Sequence, residues 1–223
     1  MPAWRLVVRS ALVQAAILLL PFTAASTPHW ERGWCWLGLQ LVTLAVSVVL
    51  IRAKNPGLFR ARMEHLRPLE SFDKIFSAFY VLAMTALLVV AGLDARWGWS
   101  QLSWGWLYFG IALQCLAVVP ILAAACINPY LEGFVRIQND RGHIVITSGA
   151  YSIVRHPMYT GVMLAVLSWP LMFGSLWAII PAALAALAFL FRALNEERVL
   201  RERLPGYDDY MRRTRYRLVP GLW

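Results

Sequence analysis

Residues 157–191 read PMYTGVMLAVLSWPLMFGSLWAIIPAALAALAFLF, without a single charged side chain. One helical crossing of a bilayer takes roughly 20 apolar residues, so this stretch is too long for one span and slightly short for two full ones. Pro170, Gly174 and Pro181 punctuate it, and a tight helical hairpin turning near 173–175 accounts for the length. The return limb is rich in alanine, which lets neighbouring helices approach closely. Four further charge-free windows precede it, at 10–28, 33–51, 75–93 and 103–131, and each supplies one helix. The expected fold is all-α: a polytopic membrane protein with about six transmembrane limbs, four spans plus a C-terminal hairpin.

Composition agrees. Apolar residues make up 60% of the chain and charged ones 15%, against about 45–50% and about 25% in soluble domains. Eleven tryptophans suit the headgroup level of a bilayer, where an amphipathic indole is at home. Cys35, Cys115 and Cys126 fall in apolar segments without metal-ligand or disulfide spacing, and read as small buried apolar residues. Arg5 and Arg9 followed by an apolar run and Thr23-Ala24-Ala25-Ser26 have the outline of a cleaved leader. The later windows keep the protein in the membrane either way, and the first is read as a retained helix.

The net charge of +9 raises the question of nucleic acid, and its distribution answers it. Six-limb threading puts nineteen Lys and Arg residues on one side, including Arg52, Lys54, Arg60, Arg62, Arg67, Lys74, Arg136, Arg141 and Arg155, and two, Arg32 and Arg96, on the other. Such asymmetry marks the cytoplasmic side and suits anionic lipid, so no nucleic-acid partner is expected. The polar mass lies in three cytoplasmic pieces, 52–74, 132–158 and 192–223, and any soluble cofactor must be held there. Ionisable residues are absent from the apolar windows, which counts against a transporter or channel.

Four short segments carry candidate chemistry. In Arg155-His156-Pro157-Met158-Tyr159-Thr160-Gly161, proline marks the first turn of a helix whose free backbone N–H groups favour an anionic ligand group. The bland alternative is an interfacial cap with a snorkelling Arg155. In Arg192-Ala193-Leu194-Asn195-Glu196-Glu197, carboxylates follow directly on an apolar helix, which is costly unless they are hydrated, paired or bound to a cation. Glu197 fits an exposed pair with Arg201; Arg192 and Glu196 fit such an exposed face less well. Gln138 to Tyr151 reads as a turn at 140–142, an extended run His143-Ile144-Val145-Ile146 able to meet an adenine edge, and a second turn at Ser148-Gly149. Tyr207-Asp208-Asp209-Tyr210 and the arginines after it read as an amphipathic helix on acidic lipid, with tyrosines able to close over a pocket. No dinucleotide fingerprint, P-loop or metalloprotease motif is present, and no metal is expected.

Taken in order, Gly-His-Ile-Val-Ile-Thr-Ser-Gly-Ala-Tyr, Arg-His-Pro-Met-Tyr-Thr-Gly, an apolar hairpin, Glu-Glu and Tyr-x-x-Tyr resemble the isoprenylcysteine carboxyl methyltransferase family of prokaryotic type. The wider group includes the phospholipid N-methyltransferases. The resemblance is strong over 128–223, a catalytic core following N-terminal helices and a first cytoplasmic loop in 1–127 of one membrane-embedded domain. It implies S-adenosyl-L-methionine as methyl donor. By position, Gln138, His143, Ile144, Val145, Ile146, Tyr151, His156, Pro157, Met158 and Tyr159 would line the donor pocket, Glu196 would hold the donor's amino end, and Arg192 would face the acceptor. The acceptor implied is an apolar or amphipathic small molecule or lipid entering from the bilayer, with carboxylate O-methylation favoured over amine or thiol methylation. A membrane reductase using a nicotinamide cofactor is the competing enzyme class. A prokaryotic inner (plasma) membrane with both termini cytoplasmic is the expected location.

That orientation is testable. Single cysteines replacing Glu31 and Arg96 in a cysteine-free background should react with an impermeant thiol reagent on intact cells. Reaction only after permeabilisation would reverse the topology.

Overall fold

The computed structural model describes residues 3–64, 71–132 and 137–223. Arg67 and Arg136, counted in the charge asymmetry above, lie outside the described residues. The chain folds as helices α1 (Ala3–Ala25), α2 (Glu31–Lys54), α3 (Pro56–Glu64), α4 (Ser71–Trp97), α5 (Trp104–Ile127), α6 (Pro157–Phe173), α7 (Ile179–Arg203) and α8 (Tyr207–Arg213). No strand occurs among the described residues. Four of these helices, α2, α4, α5 and α7, are long and apolar enough to cross a membrane, and α1 and α6 carry shorter apolar stretches. The six limbs expected from the charge-free windows are thus present as four spans and two further apolar helices. The hairpin turns where expected: α6 ends at Gly174, whose φ of 78° is the left-handed conformation glycine adopts without steric cost.

Helices in a bilayer gain little from hiding apolar surface from one another, so contact relies on small residues and on hydrogen bonds between helices. The antiparallel α5–α6 pair shows both devices. A Cβ on Gly161 would fall 2.5 Å from the Ala117 carbonyl oxygen, and one on Gly110 would fall 3.0 Å from the Ser168 carbonyl. Between these close approaches, Gln114 Oε1 accepts from Ser168 Oγ at 2.9 Å and Trp169 Nε1 at 3.2 Å. The alanine-rich limb α7 buries Ala182, Ala185, Ala186 and Ala193, and packs on α4 and α6.

The two ends of the bundle are polar in different ways. At one end Asp94 accepts from Ser100 N and Oγ and from Ser175 Oγ, pinning the hairpin turn to the end of α4. Arg32 donates to the Leu102 carbonyl at 2.6 Å and lies over the Trp104 ring. Exposed Trp34, Trp97, Trp99, Trp104, Trp106 and Trp177 ring this end, which is where an indole belt belongs. At the other end the three polar pieces meet: Asn55 Nδ2 donates to the Ala125 carbonyl, Arg62 to the Leu131 carbonyl, and Arg192 pairs with Asp73.

The cysteines depart from expectation. Cys35 and Cys115 are exposed and Cys126 is only half-buried, because their helix faces point outward. A thiol is apolar enough for that face to meet lipid tails without penalty.

Gly161→Ala should lower the thermal midpoint in detergent, since overpacking a tight interface costs about 1–3 kcal/mol. Gly38→Ala, where a Cβ meets nothing within 4 Å, should leave the midpoint unchanged or raise it. Equal behaviour of the two variants would show that α5–α6 contact is looser than described.

Candidate active site

At the end where the polar pieces meet, a cavity opens between the residue 128–132 segment, the extended run 143–146, the start of α6, the last turns of α7 and α8. Its deepest chemistry is organised around α6. Pro157 occupies the first helical position and His156 the cap, so the N–H groups of Met158 and Tyr159 lack acceptors within the helix. The segment before the helix is strapped down by the chain's last stretch: Arg155 N donates to the Tyr216 carbonyl at 3.0 Å and His156 N to the Arg217 carbonyl at 2.9 Å.

Glu197 is buried, with 4% of its side chain exposed, and three basic groups surround it. Arg155 Nε donates to Oε1 at 2.6 Å, Arg217 donates to Oε2 at 2.8 Å, and His156 Nε2 lies 3.3 Å from Oε1. A carboxylate only accepts, so His156 Nε2 is the donor in this contact. This corrects the exposed Glu197–Arg201 pair read from helical spacing: Arg201 instead bonds Asp208 at 3.0 Å. It also corrects the reading of Arg155 as a snorkelling residue, since its Nη1 donates to the Thr214 and Arg215 carbonyls as well.

Glu196, one residue earlier and so rotated about 100° around the helix, points the other way. It lines the cavity and accepts a hydrogen bond from the Tyr159 hydroxyl, with His156 Nδ1 3.9 Å from Oε2. The Tyr159 ring stacks parallel on His156, and its oxygen also accepts from Arg192 Nε at 3.0 Å. Arg192 itself is buried behind Tyr159, paired with Asp73 at 3.1 Å and lying 4.2 Å over the Phe76 ring. Its partners are therefore Tyr159 and Asp73, and the oxygen of Tyr159 links it to Glu196.

The structure gathers His143, Ile144, Val145, Ile146, Tyr151, His156, Met158, Tyr159 and Glu196 around one cavity. Gln138, Pro157 and Arg192 do not line it. Gln138 sits behind the wall, donating to the Tyr130 carbonyl at 2.7 Å and, through its backbone N–H, to His143 Nδ1 at 3.3 Å. Pro157 serves as the helix's first residue, and Arg192 stands beyond Tyr159. Sequence reasoning missed Asn128, Tyr130, Leu131, Glu132, Leu200 and Leu204 as wall residues. None belongs to a motif; Asn128, Tyr130, Leu131 and Glu132 lie at the end of the 103–131 window, and Leu200 and Leu204 on the last turns of α7 and its C-cap. Tyr207 and Tyr210 close the cavity's far side, and Tyr210 Oη donates to the Tyr151 carbonyl. Burial pushes the phenols of Tyr151, Tyr207 and Tyr210 far above the usual tyrosine range, so all three stay neutral.

Residues 108–205 match the phospholipid methyltransferase family model. The match runs from α5 through the hairpin to the end of α7, and holds every site residue expected from sequence. It bears out the resemblance to the isoprenylcysteine carboxyl methyltransferase-like group of membrane methyltransferases. Eighty residues are also 34% identical to the cobalt-zinc-cadmium resistance protein CzcN of Cupriavidus metallidurans, covering 35% of this chain and 37% of that protein. The chain thus spans little more than a third of that relative's length. Among the described residues, no group of three or more His, Cys, Asp or Glu side chains is placed to hold a metal ion.

Breaking a buried ion pair by neutralising one partner costs about 3–5 kcal/mol. Glu197→Gln should therefore lower the thermal midpoint far more than Glu196→Gln. Matching midpoints for the two variants would remove Glu197 from its structural role.

Proposed function

We propose that the protein is an S-adenosyl-L-methionine-dependent methyltransferase that acts at the cytoplasmic face of a prokaryotic inner membrane on a lipid-like acceptor entering from the bilayer. The observation that carries this reading is the contact chain Glu196–Tyr159–Arg192–Phe76. It joins a polar cavity at the bundle's end to an apolar groove between α4 and α7, lined by Phe72, Ile75, Phe76, Phe79, Leu184, Leu187, Ala188 and Phe191.

The residues present fit the donor. Glu196 puts a carboxylate on the cavity wall, and the guanidinium of Arg155 is already engaged by Glu197 and two carbonyls. Such a lining favours a ligand with cationic groups and disfavours the polyanion of a reduced nicotinamide cofactor. Glu196 would take the ammonium, the N–H groups at the start of α6 the carboxylate, and Ile144, Val145, Ile146, Leu200 and Leu204 the flat apolar body. When bound, S-adenosyl-L-methionine supplies an electrophilic methyl group on a sulfonium centre. The protein's share is then to position the two reactants and keep water out, because charge shrinks toward the transition state of the transfer.

The acceptor would lie with its chain in the α4–α7 groove and its polar end near Tyr159 and Arg192. A carboxylate acceptor needs no base, whereas an ammonium must first lose a proton. Tyr151, Tyr207 and Tyr210 stay neutral, and the His143 Nδ1 lone pair accepts from Gln138, which removes these four as the base an ammonium would need. The phospholipid methyltransferase match favours a phospholipid amine as the second acceptor to assay.

Calorimetry on the purified protein should show binding of S-adenosyl-L-methionine and none of NADPH. A charge-assisted hydrogen bond contributes about 1.5–3 kcal/mol, so Glu196→Gln should weaken donor binding roughly tenfold or more. Leu187→Trp, which obstructs the groove, should raise KM for lipid acceptors without changing donor affinity. NADPH binding, or unchanged donor affinity in Glu196→Gln, would overturn the reading.

A further inference from the structure

The cavity has a second carboxylate, Glu132, set in a polar cluster of its own. Its side chain is 8% exposed and pairs with Arg141 Nη1 at 3.3 Å. The same nitrogen donates at 2.7 Å to Gln138 Oε1, and the guanidinium lies over the Tyr130 ring. Tyr130 is fixed at three points: its N–H donates to Asn128 Oδ1, its hydroxyl to the Gly142 carbonyl, and its own carbonyl accepts from Gln138 Nε2. Its ring centroid lies 4.3 Å from that of His143. Segments 128–132 and 138–143 are therefore cross-linked into one rigid piece that presents Glu132, Tyr130 and His143 to the cavity together.

One feature separates this carboxylate from Glu196: Arg141 offsets its charge, which makes it a poorer partner for a cation. What remains suits neutral O–H donors, for which an ionised carboxylate is a strong acceptor with about four lone-pair sites.

The geometry points to Glu132 as the residue that accepts hydrogen bonds from the vicinal hydroxyls of the donor's ribose, with the Tyr130–His143 ring pair as the wall beside the nucleobase. The assignment rests on the donor reading above and deepens it: Glu196 reads the amino-acid end and Glu132 the sugar. Gln138 is then a positioning residue, holding Arg141, Tyr130 and His143 from behind.

The test is calorimetry of the full-length protein in detergent with S-adenosylhomocysteine and its 2′,3′-dideoxy analogue. Wild type should bind the parent roughly tenfold or more tightly than the analogue. In Glu132→Ala the parent should fall to the analogue's affinity, bringing the ratio near one. A wild-type ratio near one, or a ratio that survives in Glu132→Ala, overturns the assignment. If the alanine variant does not fold, Glu132→Gln keeps the shape and should shrink the ratio several-fold; an intact ratio there overturns it equally. Failure of wild type to bind the parent at all would bring down the donor reading itself, an outcome distinct from a persistent ratio.

Discussion

A carboxylate buried at the end of a membrane helix bundle is expensive unless its charge is met where it stands. Glu197 is met from two parts of the chain: Arg155 and His156, neighbours at the start of α6, and Arg217 in the final stretch. That single cluster welds α7 to α6 and clamps the last residues across the start of α6. It also fixes the imidazole of His156, on which Tyr159 stacks. With Glu197 turned inward, helix geometry alone turns Glu196 toward the cavity. The partition of two adjacent carboxylates into one structural and one cavity-facing group follows from this weld.

The bundle beneath has to be stiff for that placement to hold. Glycine contacts between α5 and α6, with Gln114 bonded to Ser168 and Trp169, give the pair a fixed register. At the far end Asp94 and Arg32 tie the hairpin turn to its neighbours. The chemistry therefore sits on helix ends set by packing far from them, while the surface that meets lipid stays apolar and unspecialised. Tyr159 and Arg192 occupy the boundary between a water-facing cavity and a bilayer-facing groove. The proposed reaction between a soluble donor and a membrane-borne acceptor would use that boundary.

How much of this was legible beforehand differs by interaction range. Window lengths and Pro/Gly placement gave six limbs and a turn at Gly174, because hydropathy and backbone permission are local properties. The His-Pro helix start and the 143–146 run lie where motif order put them. Spacing misjudged Glu197, since helical i, i+4 proximity to Arg201 says nothing of the guanidiniums that arrive from residues 155 and 217. It left the partner of Arg192 undetermined, because Asp73 lies more than a hundred residues away. Gln138 and Glu132 show the same limit within one loop: cross-linking through Tyr130 and Arg141 puts the glutamine behind the wall and the glutamate on it.

The sequence by itself determined that the chain lives in a membrane, how many limbs it has, which end gathers the polar pieces and which motif bears the methyltransferase resemblance. These are consequences of apolar length, charge asymmetry and residue order. Only the tertiary structure decided which of two neighbouring glutamates faces the cavity, that Arg192 reaches it through Tyr159, and that the 128–132 segment supplies a wall. Those outcomes depend on which distant charges and carbonyls come within about 3 Å of one another, and chain distance does not encode that.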